Sequence, residues 1–271
     1  MELLRTFILG VVEGITEWLP ISSTGHMILV NEFMRNENTF TSSDLFLYVI
    51  QLGAILAVVT LYFRKLNPFA LSKSVDEKKA TWQMWFKVIV ACLPAAIIGL
   101  ALNDFMETFE NWQVVSALLI IYGILFILVE NLKHKPKVNS MNEMSYKTAL
   151  LIGAFQVLSI IPGTSRSGST ILGAIILGCG REVAAEFSFF LAIPVMFGVS
   201  FLKILSYVME FGMIAGYDLM ILILGMVTAY IVSLVSIKFL VNYVKKHDFR
   251  FFGIYRIILG ALVIAYFLIM N

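Results

Sequence analysis

Six strongly apolar runs, each at or close to the length that crosses the hydrocarbon core of a bilayer, leave this chain few folds to choose from. They fall at Asp44–Phe63, Phe86–Leu102, Val114–Val129, Val183–Leu205, Leu219–Val241 and Phe251–Met270. Backbone at membrane depth must satisfy its own hydrogen bonds, so runs of this length read as helices. Composition agrees. Of 271 residues, 59% are hydrophobic and 14% charged, and the mean hydropathy is +0.88. A soluble domain would carry about a quarter charged residues. The expected fold is an all-α polytopic membrane protein, a single domain over 1–271. Cys92 and Cys179 lie in apolar runs and offer neither a disulfide framework nor metal spacing. Met1 to Ile15 lacks the small-residue cleavage site of a secretory signal peptide. Bilayer lipids are the expected surroundings, and nothing calls for nucleic acid.

The charges between the runs set an orientation. After the first run come Arg64, Lys65, Lys73, Lys78 and Lys79. After the third come Lys133, His134, Lys135, Lys137 and Lys147, and after the fifth Lys245, Lys246, His247 and Arg250. The second run is followed instead by Asp104, Glu107 and Glu110, and the fourth by Glu210 and Asp218. Before the first run, Glu32, Glu37 and Asp44 stand against Arg35. An excess of Lys and Arg marks the cytoplasmic side, so both termini are expected on the outer face of a plasma membrane.

Two polar islands interrupt this apolar chain. The first runs from Glu13 to His26, as Glu-Gly-Ile-Thr-Glu-Trp-Leu-Pro-Ile-Ser-Ser-Thr-Gly-His. Leu3 to Trp18 should be helical but is too short and polar to span, and Gly10, Glu13, Gly14 and Glu17 share one face. Pro20 stops that helix, and Ser22, Ser23 and Thr24 suit the start of another reaching about Phe33. The second island, Pro162 to Thr170, lies in a stretch from Ala149 to Gly178 that repeats the pattern of short helix, Pro-Gly-Ser turn and short helix. At one fixed offset Gly10 matches Gly153, Ser22 matches Ser165 and Gly25 matches Gly168, while Glu13 faces Gln156. Each half therefore reads as a re-entrant helical hairpin followed by three spans. Three is odd, so the halves, about 1–131 and about 147–271, are expected to form an inverted-topology repeat. The hairpin tips would then meet near the midplane.

The islands hold the parts for handling phosphate. Glu13 and Glu17, one turn apart, can hold a divalent cation such as Mg2+ or Ca2+ together with phosphate oxygens; otherwise they pair with Arg5 or face solvent. Ser22, Ser23, Thr24 and Gly25 put hydroxyls and amides at a helix start, which suits an anion as well as ordinary capping. His26 accompanies them, and general acid–base work is favoured over a satisfied core histidine. Arg166, between Ser165 and Ser167 and near Gly168, is a candidate phosphate clamp unless it snorkels to the surface. Glu186 has Arg166 or Arg181 as candidate partners, and Arg256 either binds phosphate or snorkels. In a bilayer the natural substrate is a lipid phosphate whose tail stays in the membrane.

These motifs resemble the bacterial undecaprenyl-diphosphatases, the bacitracin-resistance family. The resemblance covers the whole chain and rests on Glu13–His26, on Pro162–Gly168 with Gln156 upstream, and on Glu186–Phe189 and Ile254–Arg256. Ser159 departs from the smaller residue of the family pattern. The resemblance implies hydrolysis of undecaprenyl diphosphate to the monophosphate and inorganic phosphate, a divalent metal and bacitracin resistance. It also implies that the lipid carrier of cell-wall synthesis is recycled. On this reading Glu17, Ser23, His26 and Arg166 are catalytic. Glu13, Ser22, Thr24, Gly25, Gln156, Ser165, Ser167, Gly168 and Arg256 bind substrate, and Glu13 and Glu17 hold metal. Ser23 or water is the nucleophile, with His26 or Glu17 handling the proton.

Two other readings compete. A transporter or flippase of polyprenyl phosphate would use the same inverted repeat. A type-2 phosphatidic acid phosphatase is suggested by Ser23-Thr-Gly-His26, but the stretch after Ser165-Arg166 does not supply the histidine and aspartate such an enzyme needs, and the next histidine is the distant His247. A homodimer is compatible with the sequence without being read from it.

Overall fold

A computed structural model describes residues 1–34, 39–107, 109, 111–132, 135–214 and 216–270, with side chains omitted for residue 100 and for 102–107. Arg35, Glu37, Glu110, Lys133 and His134 of the charge pattern lie outside the described residues, as do the side chains of Asp104 and Glu107. The described residues form helices and two 3-10 turns, with a lone bridge between Val138 and Cys179 and no strand.

In chain order the helices are α1 (Glu2–Thr16), α2 (Ser23–Phe33), α3 (Asp44–Leu61), α4 (Phe63–Leu66), α5 (Val75–Glu107) and α6 (Trp112–Asn131). Then come α7 (Tyr146–Val157), α8 (Arg166–Ile176), α9 (Arg181–Phe211), α10 (Gly216–Val244) and α11 (Arg250–Met270). Six of them, α3, α5, α6, α9, α10 and α11, are long and apolar enough to cross a membrane. Between 22% and 50% of each span is buried inside the protein, and large apolar residues such as Leu56, Ile97, Leu128 and Val235 point outward. An outer surface this apolar suits lipid and not water. The molecule is an all-α, multi-pass membrane protein.

Several spans run longer than their apolar cores. The second was expected from Phe86, yet α5 begins at Val75 and takes in Lys78 and Lys79, which had read as loop. A capping box explains the early start. The Ser74 amide donates to Glu77 Oε2 at 2.7 Å, and Ser74 Oγ accepts from the Glu77 amide at 3.2 Å. Lys87, a charge inside that span, donates to the Met141 carbonyl at 2.8 Å and ties the following loop to α5. Likewise α9 continues to Phe211 and takes in Glu210, beyond the apolar run that ends at Leu205.

The spans pack through small residues. α6 lies against α11, α3 against both α9 and α10, α1 against α10, and α7 against α5. At the α6–α11 crossing a Cβ on Gly123 would stand 2.6 Å from the Gly253 carbonyl oxygen, and one on Gly253 would stand 2.7 Å from that of Gly123. Close backbone approach of this kind is how helices associate where apolar burial gives no preference for protein over lipid. The largest core cluster joins Trp18, Leu19 and Ile21 of the first turn to Ile171 and Leu172 of α8 and to Phe187, Phe189 and Phe190 of α9. The two hairpins therefore share one core.

Gly53 of α3 packs so closely on α10 that an added methyl would collide with the Met226 carbonyl. Gly53→Ala should lower the melting temperature in detergent, at a cost of about 1–3 kcal/mol. Gly198→Ala, on α9 with open space around it, should leave the melting temperature within error. Equal melting curves for the two variants would contradict this packing.

Candidate active site

Each hairpin turns on a serine in a conformation that side chains rarely adopt. Ser22 has φ 71° and Ser165 φ 72°, the two non-glycine residues with positive φ among the described residues. Such backbone costs on the order of 1–3 kcal/mol and persists only where its surroundings enforce it. Each serine caps the helix that follows, Ser22 accepting from the Gly25 amide at 3.4 Å and Ser165 from the Gly168 amide at 3.1 Å. Both hydroxyls, expected to bind substrate, thus also cap helices.

Arg256 locks the two turns together. Its side chain is fully buried, and its guanidinium donates to the carbonyls of Pro20 (3.2 Å), Gly163 (3.0 Å), Thr164 (3.1 Å), Leu118 (3.4 Å) and Leu119 (3.5 Å). It also lies over the Tyr122 ring at 5.3 Å. Full burial rules out snorkelling, one of the two alternatives read from the sequence. Arg256 is a clamp between the first turn, the second turn and α6. Gly168 makes room for it, since a Cβ there would stand 3.0 Å from Arg256 Nη1. Ser167 adds a second tie, donating to the Leu19 carbonyl at 3.2 Å.

Between the clamped turns Glu17 meets Arg166. Arg166 Nη2 donates to Glu17 Oε1 at 2.8 Å, and Ser23 Oγ donates to Glu17 Oε2 at 3.2 Å. Arg166 is steadied by the Ser188 carbonyl (2.8 Å), by Met196 Sδ (3.5 Å) and by the Trp18 ring at 5.6 Å. Its Nε is buried without a hydrogen-bond partner. Side-chain exposures of 12% for Arg166 and 9% for Glu17 remove most of the screening water would provide.

His26 is engaged elsewhere. Its Nδ1 lies 2.7 Å from the Ser22 carbonyl, which can only accept, so Nδ1 carries hydrogen. In the neutral ring Nε2 then accepts from the Tyr255 hydroxyl at 2.8 Å. Among the described contacts it is Glu17, not His26, that holds the Ser23 hydroxyl.

A cavity of about 380 Å³ opens beside Ser23, lined by Glu13, Thr24, Asn31, Asp44, Tyr48 and Ser159 among others. Glu13 Oε1 is buried without a partner, which marks it as a position for a cation or a donor. No group of three or more carboxylate, histidine or cysteine residues suited to a metal occurs among the described residues. A hard cation at Glu13 and Glu17 would therefore complete its shell with phosphate oxygens and water, as such ions commonly do. Gln156 is buried with both carboxamide atoms unpartnered, and Gly25 packs on Leu119 of α6. Neither lines the cavity. A second cavity, about 300 Å³, sits beside the Glu130–Arg181 pair and includes none of the expected site residues.

Some contributors were not foreseen. Trp18 lies inside the first motif, yet its place beneath Arg166 depends on the fold. Ser188 contributes a backbone carbonyl, which no side-chain pattern announces. Glu186 pairs with Lys65 at 2.6 Å, not with Arg166 or Arg181, and Arg181 pairs with Glu130. Arg256→Lys should not restore what Arg256→Ala removes, because one ammonium cannot serve five carbonyls. Each orphaned carbonyl costs about 1–3 kcal/mol, so both variants should melt far below the parent in detergent or fail to yield monodisperse protein. Parent-like melting of the lysine variant would refute the clamp.

The sequence matches the family described as Bacitracin resistance protein BacA over residues 6–262. It is 56% identical over 270 residues to the undecaprenyl-diphosphatase of Enterococcus faecalis, covering 98% of each chain. Over 271 residues it is 56% identical to that of Desulfitobacterium hafniense, covering 98% of this chain and 96% of the relative. To that of Lactiplantibacillus plantarum it is 53% identical over 274 residues, with both chains covered in full. Matched from near one end to near the other, the chain belongs to the bacitracin resistance protein BacA family.

Proposed function

We propose that this chain is an integral-membrane phosphatase that hydrolyses undecaprenyl diphosphate to undecaprenyl phosphate and inorganic phosphate. The activity would recycle the lipid carrier of cell-wall synthesis and confer bacitracin resistance. The relatives' activity supports this reading, and one geometric observation carries it: Glu17 holds the Ser23 hydroxyl with one oxygen and Arg166 with the other. A nucleophile, a base and a cation at one point suit phosphoryl transfer, which depends on positioning and charge stabilisation.

The steps follow from those contacts. Ser23 Oγ attacks the terminal phosphorus and Glu17 Oε2 takes its proton. The bond from that phosphorus to the bridging oxygen breaks, and undecaprenyl phosphate leaves. Water then attacks the phosphoserine, the phosphorus–Oγ bond breaks, and Ser23 regains its proton from Glu17 as inorganic phosphate departs. Arg166 Nε, buried and unpartnered, would need a local rearrangement to donate to a phosphate oxygen. Glu13 and Glu17 are the residues that would hold Mg2+ or Ca2+, and a bound cation would neutralise part of the diphosphate charge. His26 fixes the start of α2 through the Ser22 carbonyl and leaves the proton to Glu17. No described contact favours lipid transport over cleavage.

Purified protein in detergent should release phosphate from undecaprenyl diphosphate with Mg2+ or Ca2+ and lose that activity in EDTA. Glu17→Gln, Ser23→Ala and Arg166→Ala should each lower kcat on the order of a hundredfold or more. No release from well-folded parent protein under any metal would refute the phosphatase. Near-parental turnover by Ser23→Ala would move the nucleophile to water.

The loop charges support an orientation in a bacterial plasma membrane with both termini and the active-site opening outside. Here the hairpins enter from opposite faces as the two halves of an inverted repeat. In a cysteine-free background, Glu210→Cys should react with an impermeant maleimide in intact cells. Lys79→Cys and Lys246→Cys should react only after lysis. The reverse pattern would invert the topology.

A further inference from the structure

The same three-residue latch occurs twice where α3 crosses α9. In one, Lys203 of α9 bonds Asp44 at the start of α3 at 3.0 Å and lies 5.3 Å from the ring of Tyr48, one turn further along. In the other, Lys65, just beyond α3, bonds Glu186 near the start of α9 at 2.6 Å and lies 5.8 Å from the ring of Phe190, again one turn further along. Each joins a lysine, a carboxylate and an aromatic ring across the two helices. They differ in what lies beside them. Asp44 and Tyr48 line the cavity that Ser23 opens into, whereas Glu186 and Phe190 do not.

On the phosphatase reading that cavity receives an anion, yet it lacks cations of its own. Its lining includes the carboxylates of Glu13 and Asp44 and no lysine, arginine or histidine. A diphosphate bound there needs positive charge from just outside the lining. Arg166 stands on the Ser23 side, joined to the Ser23 hydroxyl by Glu17. Lys203 stands on the Asp44 side. One face of α9 carries both arrangements, since Ser188 and Met196 contact Arg166, Ser200 bonds the Tyr48 carbonyl at 2.9 Å and Lys203 reaches Asp44. From Met196 to Lys203 the helix advances about 10 Å. The Lys203–Asp44 pair is also easily exchanged. Asp44 is 70% exposed and Lys203 34%, and pairs this wet contribute little to stability.

We propose that Lys203 is a substrate-binding residue: its ammonium leaves Asp44 for the non-transferred phosphate of the lipid diphosphate, the one attached to the isoprenyl chain. Asp44 is one of its resting partners and competes with substrate for it. This inference rests on the phosphatase reading. It assigns the lysine to the phosphate that stays on the product, so lipid monophosphate should feel its loss and inorganic phosphate should not.

Steady-state kinetics of the purified protein with undecaprenyl diphosphate test this. Lys203→Ala should raise KM about tenfold with kcat little changed, the size expected for one charge-assisted contact. Inhibition by undecaprenyl phosphate should weaken by a similar factor, while inhibition by inorganic phosphate stays the same. Lys203→Arg should restore most of the affinity. Asp44→Asn, which removes the competitor, should lower KM. Lys65→Ala breaks the twin latch away from the cavity and should leave KM unaltered. The proposal is overturned if Lys203→Ala leaves KM unchanged, if Lys65→Ala raises KM equally, or if Asp44→Asn raises it as Lys203→Ala does. The last two results would make the latches structural only. Absence of turnover in the parent would overturn the phosphatase reading, and this inference with it.

Discussion

The ion pair between Glu17 and Arg166 is the interaction on which the rest depends. Its partners come from opposite halves of the chain and meet almost wholly out of water. Burial of such a pair is poor evidence for stability, because desolvation cancels much of the attraction. Removing one partner is different, since an uncompensated buried charge costs about 3–5 kcal/mol. A pair retained in that balance is better explained by what it positions. Here it positions a serine hydroxyl at the edge of a cavity.

Everything around the pair keeps the two turns from moving apart. Arg256 gathers carbonyls from both, Ser167 crosses to Leu19, and the strained serines cap α2 and α8 so that those helices begin at the site. Strain at Ser22 and Ser165 is tolerated because the clamp and the shared core over-determine the turns. Turn geometry, charge placement and the opening to the cavity are therefore one construction.

Much of this was legible in the sequence, for identifiable reasons. Apolar runs in lipid have few alternatives to helix, so the six spans were readable. The match of Ser22 with Ser165 appears in the structure as two equivalent caps. That Glu17, Ser23 and Arg166 lie together could be inferred because polar groups are rare in so apolar a chain and costly to leave alone. Which partner each group takes could not. Glu186 finds Lys65, and His26 finds Tyr255, through helix packing that no spacing encodes. The partners of Arg256 could not be read either, because its carbonyl acceptors are main chain and leave no trace in residue identities. The early start of α5 did leave one, the Ser74–Glu77 capping box, inside what had read as a loop.

The most direct test of a single site built from both halves is a double-mutant cycle on kcat/KM with Glu17→Ala, Arg166→Ala and their combination, each confirmed folded by melting. Groups that act as one unit lose their effect together. If Glu17 and Arg166 form one site, the double variant will be about as impaired as the worse single variant. If the two losses multiply, the residues act independently and the site described here is wrong.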